Sequence, residues 1–258
     1  MKNTILFTLL FLCFAIPLSA QLAKDENPPA SGFNMTESDA KAMQIANEVM
    51  QAMGGRKSWD AAHYIAWNFF GRRMLLWNKY SGDVRIEVDS MIYLVNVQTN
   101  TGKVKRGNEV LSQPDSIKKY VERGISIWIN DSYWLLMPFK LKDSGVTLKY
   151  TGEQNNAESK PCDVLQLTFQ NVGRTPENKY LVYVDKTSRL VTQWEYFPKY
   201  TDEKPNFFTP WANYKKYGDI MLSGDRGNNR QLSDIAVFSA VPKSVFSSFD
   251  RVDYSKLK

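Results

Sequence analysis

Residues 112–141 read SQPDSIKKYVERGISIWINDSYWLLMPFKL, and where this stretch packs decides the fold. Ile117, Tyr120, Val121, Ile125 and Trp128 recur at three- and four-residue steps, which places them on one face of a helix. Lys118, Lys119, Glu122 and Arg123 take the other face. Pro114 suits the first turn, where a missing N–H costs nothing, and Ser112 with Asp115 three residues on has the pattern of an N-cap. The stretch ends in Tyr133-Trp-Leu-Leu-Met-Pro-Phe139, the most apolar run beyond the first twenty residues. A helix of this kind must lay one side on other apolar groups. Two readings stay open: a core helix in a β-rich domain, or a lid over an apolar hollow.

Working upstream, Thr36 with Asp39 has the form of a capping box. Ala42, Ile45, Ala46, Val49, Met50 and Met53 then make an apolar stripe that stops at Gly54-Gly55. From His63 the period falls to two. Ile65, Trp67 and Phe69 alternate with Tyr64, Ala66 and Asn68, and Gly71 turns the chain into a second strand ending near Trp77. Val84, Ile86 and Val88 mark a third strand, and 91–97 a fourth that is apolar on both sides. Thr101-Gly102 reads as lying near a turn before a short basic strand.

Downstream of the central helix the strands resume at 146–150 and 163–170, with a polar loop at 153–160 between them. Segments 180–184 and 190–197 form a hairpin around 185–188 and set Leu190, Thr192, Trp194 and Tyr196 on one side. Residues 198–210 break the pattern, with Phe207-Phe208 tucked down or facing a ligand. Segments 211–222 and 231–240 read as closing strands, and the tail from Val241 as irregular. Strands in meander order with two inserted helices and no βαβ rhythm define an α+β, mainly β chain. The expected architecture is one strongly curved antiparallel sheet.

Residues 1–20 carry Lys2, an apolar Ile5–Ile16 core and a small residue at Ala20, the pattern of a secretory leader cleaved near Ala20. Leu12 before Cys13 argues against lipidation there. Residues 21–35, rich in Pro, Asn and Ser, read as a flexible lead-in, and 36–258 as a single domain. With Cys13 lost, Cys162 stands alone, so the core must hold without a disulfide. The formal charge of +6 is mild and interspersed with acids, which favours solubility over nucleic-acid binding.

Catalytic parts are sparse. His63 is the sole histidine, and no GxSxG, P-loop, GxGxxG or HExxH motif occurs. Cys162 reads as a buried structural thiol, Glu87 and Asp89 as a solvated strand face, and Gly224-Asp-Arg-Gly-Asn228 as a plain turn. Neither an enzymatic activity nor a metal or cofactor is expected. What stands out is aromatic content, 7 Trp, 13 Tyr and 14 Phe. The rings alternate with polar positions or cluster beside Leu and Met, as in cores and greasy cavities rather than in sugar-binding surfaces.

A leader, a helix ending Met53-Gly54-Gly55 with Trp59 just beyond, meandering strands and the segment Tyr133-Trp-Leu-Leu-Met-Pro-Phe139 together resemble the LolA/LolB-like lipoprotein-carrier superfamily, especially its secreted branch in Bacteroidota-type bacteria. The likeness runs from Thr36 to Ala240. It implies a half-open β-barrel around a hydrophobic cavity covered by helices, and a periplasmic carrier of lipid or acylated lipoprotein. An envelope sensor or adaptor that binds a protein partner is the alternative. The chain departs from the carriers in extra segments at 153–160 and 198–230, and the resemblance does not place the carriers' functional arginine on a particular residue here.

On this reading Ile65, Trp67, Phe69, Ile86, Leu165, Leu167, Phe169 and Trp194 are expected to form the cavity wall. Ile117, Tyr120, Val121, Trp128, Trp134, Leu136, Met137 and Phe139 are expected to form the lid. Strand parity decides the wall, because a slip of one residue exchanges the faces. The expected protein is a monomer that makes transient contact with a membrane or an envelope protein.

Overall fold

The computed structural model describes residues 27–170 and 172–257. The expected leader, its cleavage point and residues 21–26 of the lead-in lie outside the described residues. The chain enters through α1 (Ala40–Ala52) and α2 (Gly55–Ala61). Ala42, Ile45, Ala46, Val49 and Met50 form the buried face of α1, as their spacing requires. Gly54 separates the two helices with φ 110°, and a Cβ there would stand 2.2 Å from the Asp219 carbonyl oxygen. Only glycine accepts both the left-handed backbone and this close approach.

The capping box does not form. Asp39 occupies the N-cap without a side-chain cap bond. Its carboxylate instead accepts from the Tyr150 N–H at 2.9 Å and pairs with Lys149. The reason lies in the sheet edge that Asp39 meets. Residues 30–39 run beside β7 (Val146–Asn155), whose outer side has no strand neighbour. Asn34 donates its N–H to Val146 O, Asp39 donates to Leu148 O, and the Leu148 N–H donates to Ser38 Oγ. The described part of the lead-in is thus fastened along an edge that would otherwise expose unpaired backbone groups.

Strands β1 (Tyr64–Phe69), β2 (Arg73–Asn78), β3 (Asp83–Val88), β4 (Met91–Asn96), β5 (Thr101–Arg106) and β6 (Glu109–Val110) form an antiparallel meander. Thr101-Gly102 follows the turn at 97–100 and opens the basic strand β5. Helix α3 (Pro114–Leu136) follows, then a 3-10 turn at Met137–Lys140. After β7 come β8 (Pro161–Phe169), β9 (Lys179–Asp185), β10 (Val191–Phe197) and β11 (Phe207–Pro210). The last strands are β12 (Ala212–Tyr217), β13 (Ile220–Asp225) and β14 (Leu232–Phe238).

The expected class, mainly β with few helices, is what forms, and the antiparallel sheets do not close on themselves, in the manner of a half-open barrel. The single sheet is divided, however. A seven-stranded sheet runs β14-β1-β2-β3-β4-β5-β6, a five-stranded one β11-β10-β9-β8-β7, and β12-β13 stand as a hairpin. The expected strand 211–222 folds back at Gly218-Asp219, the expected polar loop begins only after β7 has continued to Asn155, and the break at 198–210 contains β11. Among the described residues no helix is long and apolar enough to cross a membrane.

Helix α3 packs on the inner face of the seven-stranded sheet, where Val121 and Ile125 join the same core as Ile65, Trp67, Ile86, Tyr93 and Val104. Gln113, not Ser112, is the N-cap residue, and it makes no side-chain cap bond; Pro114 takes the first turn as expected. The outer face of the sheet is covered as well. Ala66 and Leu76 pack against Val241 and Val245 of the tail. Arg85, fully buried, pairs with Glu87 and donates to the carbonyl oxygens of Val245, Ser248 and Asp250 at 3.1, 2.8 and 2.8 Å. A tail whose regular structure is two short 3-10 turns, Lys243–Phe246 and Tyr254–Lys256, is therefore clamped to the sheet by one guanidinium.

Candidate functional site

The antiparallel order of the five-stranded sheet gathers the connections 140–145, 170–178 and 198–206 at one end. The register there opposes Val146 to Phe169, and sets Tyr180 and Phe207 on either side of Tyr196. Facing them is the second half of α3, with Trp128, Ile129, Tyr133 and Trp134. Between helix and sheet lies a cleft of about 910 Å³, partly open to solvent. That is within the range of ~300–1,000 Å³ typical of small-molecule sites.

Its walls are mostly rings. Trp194, 1% exposed, forms the floor, 5.0 Å from the ring of Trp134, 5.0 Å from Tyr180 and 5.7 Å from Tyr133. Phe169 meets Tyr180 edge-on at 5.8 Å, and Tyr196 lies 5.1 Å from Phe207. These are the offset and edge-to-face distances at which ring quadrupoles attract. Burial, joined by the neighbouring Tyr180 and Asp143, holds the Tyr133 phenol well above its ordinary pKa, so it stays neutral. Among the described residues its hydroxyl has no hydrogen-bond partner.

Two arginines, Arg73 partly exposed and Arg226 buried, fix the helix that carries half of this wall. Arg73 of β2 grips the fully buried Asp131 with both nitrogens, Nε at 2.7 Å and Nη2 at 2.9 Å. Burial pushes the Asp131 carboxyl above its usual range, while Arg73 and Asn130 hold it down in part. At the other end, Pro138 has no N–H to give the carbonyl oxygen of Trp134, the acceptor four residues back. Arg226 supplies the missing donors, Nη2 at 2.7 Å and Nε at 3.2 Å. Its guanidinium is fully buried and lies 3.6 Å over the Trp211 ring. Burial lowers its pKa to about 9, which leaves it a cation at neutral pH.

Charge is confined to the rim. Lys140 pairs with Asp143, and Arg174 in the 170–178 connection is exposed with no ion pair among the described residues. Asn178 donates to Thr175 Oγ1 at 2.6 Å and accepts from the Tyr196 hydroxyl at 3.3 Å. Among the described residues no three His, Cys, Asp or Glu side chains converge as a metal site would need. The arrangement can hold an apolar body against rings and leave a polar end at the mouth.

Of the residues expected to form the wall, Phe169 and Trp194 line this cleft; of the lid residues, Trp128 and Trp134 do. Ile65, Trp67, Ile86, Leu165 and Leu167 are fully buried in the core, and Phe69 packs edge-on to Trp134 at 6.4 Å. Val121, Leu136 and Met137 are buried in the same core, with Ile117 and Tyr120 half-buried against it. Phe139 stacks on Trp59 at 4.3 Å, away from the cleft wall. Tyr133, Tyr180 and Arg174 line the cleft without having been singled out. Tyr133 stands inside the apolar run, but nothing in sequence brings Tyr180 or Arg174 to it. Phe207 turns into the cleft while Phe208 stays 53% exposed, so that pair is split by strand alternation.

No protein-family model and no curated protein matches the sequence. Solved structures of similar arrangement include a DUF1329 family protein from Desulfovibrio piger, 13% identical at TM-score 0.44, covering 84% of this chain and 99% of that one. A LolA superfamily protein from Nitrosomonas europaea is 9% identical at TM-score 0.32, covering 80% of this chain and 96% of its own. MucB, solved in complex with MucA(peri), is 12% identical at TM-score 0.24, covering 78% of this chain and 65% of its own. The structural neighbours thus include a LolA superfamily protein, at low identity and low TM-score. The functional argument rests on the cleft itself.

Proposed function

We propose that the protein is a periplasmic lipid-binding carrier that seats the apolar part of a lipid or acylated lipoprotein in the cleft. The observation that carries this is an unfilled apolar volume of about 910 Å³ with charge only at its rim. Each methylene buried there gains about 0.8 kcal/mol, so a fourteen-carbon chain gains roughly 11 kcal/mol gross. An exposed cation such as Arg174 contributes about 0–1 kcal/mol and serves to choose the headgroup. Organic extraction and mass spectrometry of protein purified from a bacterial envelope should release acyl material. A fluorescent fatty acid should bind and be displaced by palmitate. Protein that yields no lipid and takes up no fatty acid would not be a carrier.

A second reading, a sensor or adaptor for an envelope protein, is favoured by one feature. Tyr200 and Phe208, 63% and 53% exposed, stand on and beside the 198–206 connection, at the same end of the five-stranded sheet as the cleft. Affinity capture of one stoichiometric envelope protein, lost on Tyr200→Ser with Phe208→Ser and unaffected by lipid, would establish it.

A further inference from the structure

We infer that the cleft prefers lipids bearing a flat, electron-poor ring, of the isoprenoid quinone class, over plain acyl chains; this rests on the lipid-binding reading above. The side chains of the wall are the reason. Beside its rings the cleft is lined by the aliphatic side chains of Ala30, Ile129, Val146 and Val172, with no Leu or Met among the described lining residues. Leu and Met reshape themselves around a flexible chain. Trp and Tyr turn about few bonds, and here they are also held by one another. Trp134 meets Trp194 at 5.0 Å, and Tyr196 meets Phe207 at 5.1 Å.

An acyl chain against such a wall gains the area it buries and little more. A flat ring gains in addition the stacking or edge contact that ring pairs make beyond area. The sense of the quadrupole matters too. Trp and Tyr faces are negative, so they attract a ring whose electrons are drawn out by carbonyls. Helix and sheet both offer it rings: Trp134 and Phe207 lie nearly parallel, 10° apart, with centroids at 6.2 Å, too close for a third ring between them, so a quinone ring would stack beside the pair rather than within it. Arg174 at the mouth, exposed and without an ion pair among the described residues, has donors for a quinone carbonyl oxygen, which accepts and cannot donate. The isoprenoid tail would then run along Phe169 and Val146.

The test is isothermal titration of the full chain with decylubiquinone and, separately, with palmitate. Palmitate has the longer tail, so buried chain area works against the inference. Decylubiquinone should bind about tenfold more tightly, the effect of one or two ring contacts. Phe207→Leu and Tyr196→Leu, made singly and checked by thermal melting, should shrink the preference to about threefold or less while palmitate affinity stays within about twofold. Phe207 lies on a four-residue edge strand, so its variant serves if Tyr196→Leu does not fold. Palmitate binding as tightly as decylubiquinone overturns the inference and leaves the lipid reading in place. A preference untouched by the folded variants also overturns it. Binding of neither probe overturns both.

Discussion

Asp39 shows how one side chain can mislead when read locally. Its position before an apolar stripe has the form of a helix cap, yet its carboxylate is spent on β7. The Tyr150 N–H, and after it Lys149, hold its pKa below the ordinary 3.8. A carboxyl with a depressed folded-state pKa stabilises above its unfolded value, and that contribution is lost as pH falls through the folded one. Stability should therefore drop between about pH 5 and pH 3, and less steeply in Asp39→Asn, which keeps an acceptor for Tyr150. Urea melts across that range would show it; parallel curves would remove Asp39 from the acid response. Arg226 gives the opposite lesson. Pro138 is visible in sequence as the residue that robs Trp134 of its helical donor, but the replacement comes from 92 positions away and cannot be read locally. Arg226→Met leaves that carbonyl orphaned and should cost about 1–3 kcal/mol in unfolding free energy. A melt within error of the parent would mean that water replaces the guanidinium.

At the scale of elements, α3 was legible as a helix but its role was not. Periodicity picks out Val121, Ile125 and Trp128, and these do face the sheet; it gives no hint that buried Asp131 lies on the inward side, because its partner Arg73 belongs to β2. The same limit hid the lead-in. Pro, Asn and Ser report weak local preference, whereas the unpaired edge of β7 supplies the bonds that order residues 30–39. Strand alternation did place Trp194 and Tyr196 on one side; both line the cleft. Alternation cannot tell a face against a filled core from a face against a hollow, which is why Ile65 and Trp67 were grouped with Trp194. Gly124 sets how closely α3 approaches the sheet. A Cβ there would meet Tyr93 Cδ1 at 3.0 Å and Val95 Cγ1 at 3.2 Å, both in the packed core. Replacing glycine in a helix gains up to ~1 kcal/mol, while overpacking a core costs ~1–3 kcal/mol. Gly124→Val, bulky and β-branched, should thus lower stability by about 2 kcal/mol, read from denaturant midpoints at constant slope. A neutral result would show that the helix can ride outward.

For the whole molecule the two sheets do different work with the same helix. The first half of α3 packs into the bowl of the seven-stranded sheet, where the described side chains form one buried core. The second half stands off the five-stranded sheet and leaves the cleft between them. A bound lipid therefore adds contacts to one half only, and binding that excludes the unfolded state stabilises by about 2.7 kcal/mol at a hundredfold excess over Kd. Amide exchange resolves where that stabilisation falls, because local opening is reported segment by segment. With a fatty acid or decylubiquinone bound, protection should rise in β9, β10, β11 and residues 128–136, and stay level in β2, β3 and β4. Protection that rises instead along β2–β4 would mean that ligand displaces α3 from the bowl and occupies the hollow the helix now fills. The same protein would then work as a lidded cavity, and the aromatic cleft would be its doorway rather than its seat.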